Sequence, residues 1–186
     1  MSISPRDTFS LKCLDSADQQ LQILRGSIVS GKVDLAPHDI TSDDARWAAI
    51  DAGSSQIFIK CLQEIKPSKF KTLGVIGPQF LFLEGKKDGV GLATKTAAED
   101  PTLTGTRWTV VDLGGNQVAL QCNLLGKSTK STIGTSGGLQ FLRGLQGQDK
   151  SHFNLGPKDA IGTHWEIVAL GPSEGPNDHP KGPQHS

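Results

Sequence analysis

Three side-chain types in this chain could do chemistry: thiols, imidazoles and indoles. Cys13, Cys61 and Cys122 would make a thiolate metal site if a fold brought them together, but no Cys-x-x-Cys or His-x-Cys spacing supports one. The histidines His38, His152, His164, His179 and His185 could supply a general base. No Gly-x-Ser-x-Gly, phosphate-binding loop, His-Glu-x-x-His or dinucleotide fingerprint accompanies them. Trp47, Trp108 and Trp165 could stack on a sugar ring.

The spacing of these residues points to architecture instead. Ala45-Arg46-Trp47-Ala48-Ala49-Ile50-Asp51-Ala52-Gly53 aligns with Thr106-Arg107-Trp108-Thr109-Val110-Val111-Asp112-Leu113-Gly114 and with Thr163-His164-Trp165-Glu166-Ile167-Val168-Ala169-Leu170-Gly171. Every tryptophan is therefore one position seen three times. The cysteines repeat likewise, in Phe9–Cys13, Ile57–Cys61 and Val118–Cys122. A third series is Leu21–Gly26, Phe80–Gly85 and Leu139–Gly144, and a fourth is Val33–Ala36, Val90–Ala93 and Phe153–Gly156. His164 falls where Arg46 and Arg107 stand, which makes it a neighbour of a core indole rather than a base.

Each piece alternates with the two-residue period of a strand buried on one face. Four pieces in one order, three times over, predict twelve strands in units of about 1–53, 54–114 and 115–171. The predicted inward set includes Phe9, Leu11 and Cys13, with Ile57, Ile59 and Cys61, and Val118, Leu120 and Cys122. Glycines close the second and fourth pieces where turns are expected. Ala52-Gly53-Ser54-Ser55 and Leu113-Gly114-Gly115-Asn116 read as hairpin turns joining successive units. Thr96–Asp100 would make one helical turn. A four-strand unit cannot bury its apolar face alone, whereas three closing around an axis can. Burying each indole is worth about 2–3 kcal/mol.

Composition agrees. The chain has 186 residues, 22 of them Gly and 10 Pro, which suits many short strands and turns. Nineteen basic residues balance nineteen acidic ones, so no surplus of cations argues for a nucleic-acid partner. No apolar run approaches the roughly 20 residues of a membrane span. The start, Met1–Asp7, lacks the apolar core of a secretory signal, and three cysteines cannot pair off fully. A cytoplasmic protein is expected. Residues 1–171 read as one domain, followed by a Pro/Gly-rich flexible tail over 172–186 that carries His179 and His185.

With these repeats the chain resembles the β-trefoil superfamily, an all-β fold of six barrel strands capped at one end by three hairpins. The resemblance covers about residues 8–171. Within the superfamily, the run Arg107–Leu120 is most similar to the fascin-like, actin-crosslinking group. An Asn-Gly-Lys-Tyr-Leu-like signature is absent, and the chain has no tyrosine. The Gln-x-Trp of ricin-type lectin repeats is also absent, since Ala45, Thr106 and Thr163 stand two residues before each Trp.

The resemblance implies a non-catalytic, lectin-like carbohydrate-binding module that needs no cofactor and no metal. By the position of the sugar pocket in ricin-like members, the first unit would offer Asp15, Asp18 and Gln20 to sugar hydroxyls. The fascin-like wording implies instead an acidic protein surface such as an actin filament as partner. Two long connections, Gln63–Pro78 and Asn123–Gly138, carry Lys66, Lys69, Lys71, Lys127 and Lys130. Equivalence under the pseudo-threefold puts these basic loops at one end, facing an acidic partner. Crosslinking would then require a homodimer. A protease-inhibitor loop stiffened by Pro67 and Pro78 is the third reading.

Overall fold

The computed structural model describes residues 3–16, 18–37, 41–63, 79–124, 140–146 and 151–172. The first unit contributes β1 (Asp7–Cys13), β2 (Leu21–Ser27), β3 (Lys32–Pro37) and β4 (Trp47–Gly53). The second contributes β5 (Gln56–Cys61), β6 (Phe80–Lys86), β7 (Gly89–Thr94) and β8 (Trp108–Gly114). The third contributes β9 (Gln117–Cys122), β10 (Phe141–Gln146), β11 (Ser151–Gly156) and β12 (Trp165–Pro172). Six strands close a ring in the order β1, β4, β5, β8, β9, β12 and back to β1, every pair antiparallel. The hairpins β2–β3, β6–β7 and β10–β11 lean on β1, β5 and β9 respectively. This is the β-trefoil fold. The expected helical turn is α1 (Lys95–Glu99), capped by Thr94, whose hydroxyl accepts from the Ala97 N–H at 3.3 Å.

The ring closes around the repeated tryptophans and cysteines. Trp47 pairs across strands with Cys61, Trp108 with Cys122, and Trp165 with Cys13, so the last pairing joins the two ends of the chain. All six side chains are 0% exposed. Each indole N–H donates to a hairpin carbonyl: Trp47 to Leu24 at 3.1 Å, Trp108 to Leu83 at 2.9 Å and Trp165 to Leu142 at 3.0 Å. A buried indole thus keeps a partner for its one polar atom. Leu11, Ile59 and Leu120 fill the barrel between them. Burial pushes the Cys13 and Cys61 thiols up to about 11 and Cys122 to about 12.

The glycines divide into two groups. Gly53 (φ 78°) and Gly114 (φ 97°) lie in the expected unit-joining turns, where a left-handed backbone is required. Gly26 and Gly85 lie inside β2 and β6 rather than closing them, which corrects the turn assignment for that series. Their role is clearance: a Cβ on Gly26 would fall 2.9 Å from the Trp47 ring, and one on Gly85 would fall 2.6 Å from Cys122 Sγ.

Candidate functional site

Of the residues expected to meet a sugar, the structure brings two into one turn and separates the third. Asp18 Oδ1 accepts from the Gln20 backbone N–H at 2.8 Å, and both residues are exposed before β2. Asp15 turns toward the entrance to β12 instead. Its Oδ2 accepts from the Gly162 N–H at 3.1 Å and lies 3.2 Å from His164 Nδ1. Arg46 and Arg107, the repeat counterparts of His164, also pair locally: Arg46 lies 3.6 Å from Asp43, and Arg107 donates to the Ala52 carbonyl at 2.9 Å.

Lys66, Lys69, Lys71, Lys127 and Lys130 lie outside the described residues, as do Pro67, Pro78, His38, His179, His185 and the stretch 173–186. Among the described residues, no group of three or more His, Cys, Asp or Glu side chains is placed to hold a metal ion. No helix among them is long and apolar enough to cross a membrane.

A polar cleft of about 440 Å³ opens beneath the first hairpin. Arg25 of β2 and Asp34 of β3 face each other in register, which places both side chains on one face. The guanidinium donates from Nε to Oδ1 at 3.0 Å and from a terminal nitrogen to Oδ2 at 2.8 Å, a bidentate fork. The hydrogen bond to Asp34 pushes Arg25 further above its usual value. Asp44 Oδ2 stands 3.8 Å from Arg25 Nε, while its Oδ1 accepts from the Ser42 hydroxyl at 2.5 Å. Gln63, just past β5, closes one wall by accepting the Ile28 N–H at 3.2 Å. Exposed Lys32 of β3 also lines the cleft.

One residue of the cleft sets its unit apart from the other two. Three positions before each core tryptophan, the first unit has Asp44 where the others have Gly105 and Gly162. In those units the glycine packs directly on the hairpin: the Gly85 N–H donates to the Gly105 carbonyl at 2.9 Å, and the Gly144 N–H donates to the Gly162 carbonyl at 3.0 Å. A Cβ on Gly105 or Gly162 would sit 2.3 Å from the Gly85 or Gly144 carbonyl oxygen. Asp44 carries that Cβ. Its segment forms a 3₁₀ turn over Asp43–Ala45 packed against β2, and no matching bond joins Gly26 to Asp44 among the described residues. The fork is also confined to the first unit. The register partners elsewhere are Glu84 with Gly91 and Arg143 with Asn154, and Arg143 Nε donates to the Ile161 carbonyl at 2.8 Å. The tryptophan alignment carried one residue toward the N-terminus would have exposed this Asp/Gly/Gly difference.

No protein-family model matches the chain, and no curated protein matches it by sequence. Solved structures do match in fold. The designed threefold-symmetric protein ThreeFoil superposes with a TM-score of 0.55 at 14% identity, covering 88% of this chain and 99% of that one. The BEL β-trefoil superposes with a TM-score of 0.54 at 14% identity, covering 91% of this chain and 97% of that one. An exo-β-1,3-galactanase from Clostridium thermocellum gives 0.58 at 14% identity over 91% of this chain, but only 31% of the galactanase is spanned. At such identity the likeness concerns the fold.

Proposed function

We propose that the chain is a carbohydrate-binding module without catalytic activity of its own. The observation that carries this reading is the polar surface of the first unit, where an exposed Asp18–Gln20 turn and an open cleft offer hydrogen-bond donors and acceptors. Sugar hydroxyls are recognised by such groups, and carboxylates and amides can do so without a stacking ring. The indoles are all in the core, so recognition rests on hydrogen bonds rather than on aromatic faces. The galactanase likeness is in keeping with this reading, since the similar part is about a third of an enzyme that acts on a galactan.

Binding of the fluorescently labelled full chain to an array of neutral and acidic glycans tests the proposal. Selective, saturable binding to one sugar class is the expected result. A blank array at high protein concentration contradicts it.

A further inference from the structure

We infer that the sugar-contacting subsite is the cleft beneath the first hairpin, and that it takes a neutral sugar through a vicinal pair of hydroxyls. This rests on the carbohydrate reading above and assigns its place. The cleft holds two carboxylates, Asp34 and Asp44, against two cations, Arg25 and Lys32. That balance offers no excess of charge for a phosphate or a free metal ion, and suits an uncharged ligand rich in hydroxyls.

The hydrogen-bonding capacity is directional. Arg25 uses two of its donors on Asp34, and a guanidinium has five. Asp34 accepts one bond on each oxygen and keeps a lone pair on each. Asp44 Oδ2 lies 3.8 Å from Arg25 Nε, beyond hydrogen-bond distance, and faces the cleft as an acceptor. Lys32 has no ion pair among the described residues and adds a donor beside Asp34, two residues away on the same face of β3. Adjacent acceptors and donors of this kind match neighbouring hydroxyls, each of which gives one hydrogen and accepts another.

The fold does not need this arrangement. Arg25 and Asp34 are 42% and 45% exposed, and the other two units dispense with the fork altogether. The Asp18–Gln20 turn offers fewer groups, because Asp18 spends Oδ1 on its own turn.

Titration calorimetry with the best array sugar decides the matter, using wild type, Asp44→Asn, Asp34→Asn, Asp18→Ala and Gln20→Ala, each checked for folding by near-ultraviolet circular dichroism. Loss of a charged acceptor in the cleft is expected to weaken binding about tenfold or more, with the turn variants within about twofold of wild type. If wild type binds and the turn variants fail while the cleft variants do not, the cleft assignment falls and carbohydrate binding stands. If wild type binds no sugar, both fall.

Discussion

The first repeat unit and its two sisters share a core and differ at its edge. All three bury an indole against a thiol and bond it to a leucine carbonyl within 0.2 Å of the same distance, between 2.9 and 3.1 Å. Outside that core, Gly105 and Gly162 accept a bond from the hairpin glycine, whereas Asp44 has no such bond among the described residues and lines a cleft. The lesson is that a threefold core constrains what points inward and leaves each outer segment free to diverge.

Substitutions separate the shared core from the divergent edge. The largest effect belongs to the shared core. Trp47→Ala, Trp108→Ala and Trp165→Ala should each cost about 3–5 kcal/mol in urea unfolding, because each empties an equivalent 0%-exposed site. A cost confined to one unit would show that the three cores are not equivalent.

Next comes the edge. Gly105→Ala and Gly162→Ala should destabilise by about 1–3 kcal/mol, since the new methyl meets a backbone oxygen at 2.3 Å. Asp44→Ala, where a Cβ already stands, should change stability by less than about 0.5 kcal/mol. Equal costs at all three positions would remove the contrast between the units.

The thiols give a pH signature. Their ionisation is raised from 9.0 to about 11 in Cys13 and Cys61 and about 12 in Cys122, chiefly by loss of water. The folded chain keeps protons there that the unfolded chain has released, so this stabilisation is whole below pH 9 and drains away as pH rises toward 11–12. Unfolding midpoints should fall across that window, and Cys→Ala replacement should flatten the slope.

A modest effect lies in the first unit-joining turn, where Ser54 (φ 55°) adopts the left-handed region that its counterpart Gly115 (φ 62°) adopts in the second such turn. Ser54→Gly, the residue of the second turn, should stabilise by about 0.5–1 kcal/mol in thermal unfolding.

Much of the fold was legible because the core residues are rare types at fixed intervals. Trp and Cys mark β4, β8, β12 and β1, β5, β9, and alternation around them gave Leu11, Ile59 and Leu120 as inward residues. Gly26 and Gly85 misled, since an interior glycine that clears an indole and one that turns the chain look alike in sequence. The cleft was less legible for a physical reason. It is lined by Asp44, where the chain departs from the repeat, and the meaning of that departure depends on how closely a carbonyl approaches the glycine of the sister units. Asp15 meets His164 only because the barrel closes its first strand on its last, a contact that no local spacing announces.

The most direct measurement is the number of sugar molecules bound per chain at saturation. The cleft lined by Asp44 predicts a single equivalent, abolished in Asp44→Gly, which places there the residue of the sister units. Three equivalent sites, or one that survives Asp44→Gly unchanged, would contradict the account.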